Sequence, residues 1–203
     1  MKIICIGRNY VDHIKELNNS IPDEPVLFLK PETSLLNPRL PFFIPSWSKD
    51  IHYETELVLR ICKPGKNIEE KFAHRYFDQI SVGIDFTARD VQTKLKEKGL
   101  PWEKAKAFDN AAAVGQFKDW SLIEKKDKIL FHLEKNGETV QKGDSSLMIN
   151  NFGKIIEEAS NYFTLKKGDY IFTGTPAGVG PVKFNDKLEA FLEGEKVLSF
   201  TIK

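Results

Sequence analysis

His52-Tyr53-Glu54-Thr55-Glu56-Leu57-Val58-Leu59 is the stretch on which the reading of this chain turns. β-Branched and aromatic residues dominate it and the apolar ones gather after Glu56, which predicts a β-strand. Side chains on a strand alternate faces, so Glu54 and Glu56 point the same way, with Cα atoms roughly 6–7 Å apart. Two such carboxylates can share one cation. They can equally form a wet strand face paired with lysines, and for an isolated Glu-x-Glu that plain reading is favoured. A cation site needs a third oxygen ligand and some chemistry beside it.

The flanking sequence offers candidates for both. Ile80–Phe86 predicts a strand with an acid, Asp85, at its end. Thr87 follows as a helix N-cap, with Asp90 three residues on in the spacing of a capping box. The helix runs from Ala88 to Lys98 and stops at Gly99, with Pro101 beyond. Arg89 and Gln92 share a face of it. Asp85 reads either as a functional acid or as a capping one. Upstream, Val11–Leu17 predicts a short helix with Val11, Ile14 and Leu17 on one stripe. His13 and Glu16 lie three apart on it. They read as a surface pair worth about a few tenths of a kcal/mol, or as a base held by a carboxylate, and spacing alone favours the surface pair. Lys104 and Lys106 would face alike if extended, and read as solvated lysines or as one turned inward.

The remainder is mostly strands. Residues 2–6 form a buried strand that holds Cys5 as a small hydrophobe. Val26–Leu29 is a short buried strand stopped by Lys30-Pro31, and residues 31–50 are a proline-rich irregular segment. Ile68–Gln79 reads as helical and 109–115 as a loop. Lys128–Glu134 and Glu138–Gln141 form a hairpin through Asn136-Gly137, a type I′ signal. Asn151–Phe163 is an amphipathic helix with Tyr162 on its apolar side. Strand Tyr170–Phe172 enters the glycine-rich Thr173–Pro181, which is neither a P-loop nor a dinucleotide fingerprint. Lys187–Glu193 and Lys196–Ile202 close the chain as a hairpin about Gly194-Glu195. Without regular βαβ alternation, the count argues for a β-rich α+β fold on a mixed, rolled sheet.

Length and composition fit one domain, at 203 residues with 41% hydrophobic and 29% charged. A net charge of +1 provides no basic field for nucleic acid. No apolar run approaches the roughly 18–20 residues of a membrane span, and Ile3–Ile6 is too short for a signal peptide. A cytoplasmic protein is expected, or an organellar one after loss of a presequence. Cys5 and Cys62 form neither a CxxC motif nor a disulfide framework.

Several stretches together resemble the fumarylacetoacetate hydrolase family in its short, single-domain form. They are Gly7-Arg8-Asn9-Tyr10 with Asp12, His13 and Glu16; Pro25–Pro31; His52–Leu57; Asp85–Gln92; Lys98–Trp102; and Gly168-Asp169 with Thr173–Pro181. They occur in family order over essentially the whole chain, and as a set they are specific although each alone is weak. The resemblance implies a mixed β-sandwich roll, with residues 1–203 as one catalytic domain. Residues 1–50 are expected to pack on it as an N-terminal strand, a lid-like helix and the proline-rich segment. It also implies a homodimer that binds Mg²⁺ or Mn²⁺ through Glu54, Glu56 and Asp85. His13 and Glu16 fall on a catalytic dyad, and Lys106 rather than Lys104 on the catalytic lysine. Arg89, Gln92 and Thr175 fall on positions that contact the substrate's carboxylate end, and Arg8 is placed with them. His52 becomes at most a neighbour of the ligands.

Two departures are notable. Ala111-Ala112-Ala113 stands where relatives often carry a Cys-Pro or similarly distinctive pair. The chain also lacks the N-terminal domain of the long fumarylacetoacetase, so fumarylacetoacetate itself is not the expected substrate. What the resemblance implies is a small-molecule 2-oxo acid as substrate, bound at a divalent cation that favours an enolate. The expected reaction is hydrolysis of acylpyruvate-like 2,4-dioxo acids, because that reaction most directly uses a His–Glu dyad. The alternatives are oxaloacetate decarboxylation or tautomerisation, isomerisation of a hydroxyheptadienedioate-type acid, and, outside catalysis, a 2-oxo acid sensor.

Overall fold

Strand-period apolar runs build three sheets in this protein, whose computed structural model describes residues 1–16, 20 and 22–203. The strands are β1 (Lys2–Gly7), β2 (Val26–Pro31), β3 (Ile51–Tyr53), β4 (Thr55–Ile61), β5 (Phe77–Asp85), β6 (Thr87–Ala88), β7 (Ala112–Val114) and β8 (Lys118–Asp119). They continue with β9 (Leu130–Lys135), β10 (Glu138–Asp144), β11 (Tyr170–Phe172), β12 (Gly180–Pro181), β13 (Lys187–Leu192) and β14 (Glu195–Thr201). The helices are α1 (Val11–Glu16), α2 (Arg89–Glu97), α3 (Glu103–Lys106) and α4 (Phe152–Tyr162). Among the described residues the largest sheet runs β2-β1-β11-β4-β5-β7, with β8 also on β5. β1 and β11 are parallel and the other pairings in that sheet are antiparallel, so the fold is the mixed, β-rich α+β type. The other sheets are β10-β9-β13-β14 and β12-β3-β6. One apolar cluster joins them: Leu57, Ile80 and Ile84 of the large sheet pack in a core with Leu133, Leu188 and Leu198 of the four-stranded one. β1 is an interior strand, so the N-terminal segment helps to build the sheet rather than packing on it.

Local signals hold where the chain alone decides. Asn136 and Gly137 take φ of 56° and 84°, as a type I′ turn requires. Asn151 caps α4 by accepting from the Lys154 N–H at 2.9 Å. Where pairing decides, expectations change. Ile68–Gln79 is a 3₁₀ turn at Glu70–Arg75, because Phe77–Ile80 are taken by the ladder to β4. Thr87 does not cap α2: β6 pairs it with His52, and Asp90 accepts instead from Ser48 Oγ at 2.7 Å and Lys49 N at 3.1 Å. Residues 112–114 form a strand rather than a loop, since their small side chains let β7 lie close on β5. A Cβ at Gly83 would come within 2.8 Å of the Ala113 carbonyl, so that register needs glycine. The last turn centres on Glu193-Gly194 (φ of 50° and 79°), one residue before the expected place. Tyr162 is exposed, because the buried face of α4 is carried by Ile155, Ile156, Ala159 and Ser160. In α1, Ile14 is buried and Val11 exposed, and Leu17 lies outside the described residues. No helix among the described residues is long and apolar enough to cross a membrane.

Candidate metal centre and active site

The expected single strand over residues 52–59 is broken at Glu54, where the chain leaves the β3 sheet and enters β4. The break puts the Glu54 carbonyl in reach of the Asp85 N–H at 2.8 Å, which seals the end of β5 against it. Glu56 sits opposite Gly83. Glu54, Glu56 and Asp85 are all buried, and each offers a carboxylate oxygen within 4.8 Å of the others. His52 is held apart by Asp50 Oδ1 at 3.0 Å and is not in this cluster.

Buried carboxylates need compensation. Lys106 Nζ donates to Glu54 Oε2 and Asp85 Oδ2, both at 2.7 Å. Arg89 Nη2 donates to Glu54 Oε1 at 2.5 Å, and the Gly174 N–H to Glu56 Oε2 at 2.7 Å. Burial alone would raise Glu54, but the Lys106 and Arg89 charges outweigh it and hold the carboxyl far below the usual range. Burial would likewise lower Lys106, yet Asp85 and Glu54 outweigh it and keep it an ammonium. Lys106 can therefore hold a developing negative charge but is not a base at neutral pH. The turn of α3 explains the choice between lysines: Lys106 points inward, and Lys104 is exposed.

Three buried carboxylates suit a hard divalent cation. Asp85 Oδ1 is buried without an aligned hydrogen bond, and its partner is a charge, Lys30 Nζ at 2.6 Å. Glu56 carries the pH signature. Burial, then the Asp85 charge, push it well above the ordinary carboxylate range. The folded chain without cation therefore retains a proton that the unfolded chain releases. That stabilisation is complete at low pH and is lost as pH rises through the raised pKa. Ligation needs the ionised carboxylate, so Mn²⁺ uptake is expected to release a proton and to tighten with pH. Calorimetric titration in two buffers of different ionisation enthalpy checks this, and identical heats would refute it.

Above the acids, α1 brings down the imidazole. Asn9 anchors its start by donating to the Thr173 carbonyl at 2.8 Å and the Asn150 carbonyl at 3.0 Å. His13 is buried, with Nδ1 3.2 Å from Glu16 Oε2, and Glu16 also accepts from the Gly178 N–H at 3.0 Å. Burial lowers the His13 pKa more than Glu54 and Glu16 raise it, so the ring is neutral at physiological pH. A proton kept on Nδ1 by Glu16 leaves Nε2 as the basic nitrogen. The surface-pair reading of His13 and Glu16 is thus replaced by a buried imidazole held by a carboxylate that stays in reach of solvent.

Every expected site residue except Glu16 lines one cavity of about 40 Å³: Arg8, His13, Glu54, Glu56, Asp85, Arg89, Gln92, Lys106 and Thr175. Gln92 Oε1 accepts from Arg89 Nη1 at 2.6 Å. Thr175 Oγ1 donates to the Thr55 carbonyl at 2.9 Å and accepts from Gln141 Nε2 at 3.0 Å, which docks the glycine-rich loop onto β4. Arg8 takes a left-handed φ of 59°, a conformation rarely kept outside functional or turn positions. Sequence reasoning missed Lys30, Phe28, Lys96, Trp102 and Gln141. Two of the missed signals are periodic. Phe28 and Lys30 share a strand face, and Lys96 continues the helix face of Arg89 and Gln92. Burial, then the Arg8 and Arg89 charges, lower the Lys96 pKa, so these three cations converge on one wall.

The family model of the fumarylacetoacetate (FAA) hydrolase C-terminal domain matches residues 2–203. The chain is 41% identical over 201 residues to the mitochondrial oxaloacetate tautomerase FAHD1 of Mus musculus, covering 99% of this chain and 91% of that one. It is 40% identical over 197 residues to the oxaloacetate tautomerase YcgM of Escherichia coli, covering 97% and 90%. Its structure aligns with fumarylpyruvate hydrolase from Pseudomonas aeruginosa in complex with Mn²⁺ and pyruvate at TM-score 0.94 and 33% identity, covering 100% of this chain and 89% of that one. A family model that spans the chain and relatives that match it end to end agree with the acid cluster and the curled sheets, and the chain belongs to the fumarylacetoacetate hydrolase family.

Proposed function

We propose that this protein is an oxaloacetate tautomerase that moves a proton between C3 and the C2 oxygen of a four-carbon 2-oxo diacid. The observation that carries the reading is the cationic wall of Arg8, Arg89 and Lys96, set in the same cavity as the acid cluster and Lys106. A substrate with a carboxylate at each end satisfies both, whereas acetylpyruvate offers the wall a neutral tail. The dyad by itself suggested acylpyruvate hydrolysis. The cationic wall and the tautomerase names of the mouse and Escherichia coli relatives favour proton transfer instead.

Arg89, held by Gln92, receives a substrate carboxylate together with Arg8 and Lys96, and Thr175 fixes the loop that closes the cavity. Bound at Glu54, Glu56 and Asp85, a divalent cation such as Mg²⁺ or Mn²⁺ supplies Lewis acidity toward the keto group. His13 Nε2 removes a proton from C3, and the C–H electron pair becomes the C2–C3 double bond. The displaced carbonyl pair collects on the C2 oxygen, where Lys106 opposes it with positive charge. His13 then returns the proton to that oxygen, while Glu16 holds the imidazolium in place.

The experiment is an ultraviolet assay of keto–enol equilibration of oxaloacetate with added Mg²⁺ or Mn²⁺, run beside acetylpyruvate cleavage and CO₂ release. The expected result is acceleration of equilibration above the other two. Efficient acetylpyruvate cleavage with no effect on oxaloacetate would replace this reading by hydrolysis, and binding without any turnover would replace it by a sensor.

A further inference from the structure

Lys30-Pro31 is expected to stop a strand, yet Lys30 continues β2 and its side chain is fully buried. A lysine is almost never buried to that degree unless paired. Its ammonium lies beneath the acid cluster, 2.6 Å from Asp85 Oδ1. It donates to the Ala111 carbonyl at 2.9 Å and to the Lys106 carbonyl, with the Phe86 carbonyl at 3.5 Å. These contacts close a ring. Lys30 holds one oxygen of Asp85, Lys106 Nζ holds the other, and the Lys106 backbone returns to Lys30. The three members come from β2, the end of β5 and the end of α3. No part of the proton transfer above uses Lys30.

We propose that Lys30 is a positioning residue that orients Asp85 for cation binding and ties the Lys106 turn to that same carboxylate. The proposal rests on the reading of Glu54, Glu56 and Asp85 as cation ligands. A carboxylate at a strand end is otherwise free to rotate, and here each oxygen is held from a different element. Lysine suits the place because its three N–H donors diverge from a point and reach acceptors on separate elements. The planar fork of arginine does not match that arrangement, and an apolar residue would take this donor from all three carbonyls. Groups of this kind behind a metal ligand typically set its affinity by about 10–100-fold.

The test uses the full chain and Lys30→Met, with Mn²⁺ binding followed by electron paramagnetic resonance. Mn²⁺ affinity is expected to fall by about 10–100-fold. The kcat on oxaloacetate is expected to fall more than KM rises, since the substrate wall is untouched. A folded Lys30→Met variant that binds Mn²⁺ like the parent overturns the proposal alone. Absence of Mn²⁺ binding by the parent overturns the ligand reading and the proposal with it. Should Lys30→Met fail to fold, melting of Lys30→Met/Asp85→Asn decides. Restored folding supports coupling of the two side chains, and an unfolded double variant overturns it.

Discussion

Replacing Asp85 with alanine is expected to abolish turnover and cation-dependent stabilisation together, and to lower the melting temperature even with no cation present. The first two losses follow from the donor set, because the remaining Glu54 and Glu56 cannot enclose a hard cation from the side that β5 supplies. The third follows from what Asp85 leaves behind. Lys106 keeps Glu54 at 2.7 Å, but Lys30 keeps only backbone carbonyls, so one buried ammonium loses its counter-charge. Breaking a buried pair from one side costs about 3–5 kcal/mol. For a chain of this size that is roughly 6–20 °C in melting temperature. Thermal melting with and without Mn²⁺, alongside the oxaloacetate assay, checks all three. A variant that melts like the parent would show that the charges around Asp85 are solvated and not the closed cluster described here.

His13→Gln is expected to separate chemistry from binding. Removing a general base lowers the rate by about 10²–10⁴-fold. The acid cluster is untouched, so Mn²⁺ should still raise the melting temperature as it does in the parent. The pH profile carries a further sign. Burial, opposed by Glu54 and Glu16, lowers the His13 pKa, and the base is active only when neutral. The acidic limb of kcat should therefore lie below the ordinary imidazole value of about 6.5, and disappear in the variant. Stability moves the same way. A base with a lowered folded pKa contributes stability that is present above about 6.5 and is lost as pH falls through the folded value. Parent-like turnover in His13→Gln would remove the imidazole from the mechanism and leave Lys106 and Glu16 to be tested in its place.

Much of the site was legible in the residues. The Glu54–Glu56 spacing, the acid at the end of a predicted strand and the His13–Glu16 spacing each suggested one part, and the family resemblance joined them. The structure brings all of these except Glu16 to one cavity, and Glu16 reaches it through His13. Arg89, Gln92 and Lys96 fall on one helix face by their spacing, but a lysine at the end of an exposed helix carries no local sign that it turns to a cavity. The helix expected over Ile68–Gln79 failed because helical spacing describes a segment in isolation, while residues 77–80 gain more from the ladder to β4. The same competition removed the Thr87 cap and turned Ala112–Val114 from loop to strand.

The sequence by itself determined the donor chemistry, the type I′ hairpin at Asn136-Gly137 and the cap of α4, since each depends on neighbours within a few residues. Only the tertiary structure decided that Glu54 lies at a switch between sheets, that Lys106 turns inward while Lys104 does not, and that Lys30 is buried. The carbonyls that hold Lys30 belong to residues 56 to 81 positions further along the chain, beyond any local pattern. An ammonium in the strand Val26–Pro31 reads as exposed until those distant acceptors and Asp85 close over it, because the free energy of burying a charge is set by its surroundings and not by its own segment.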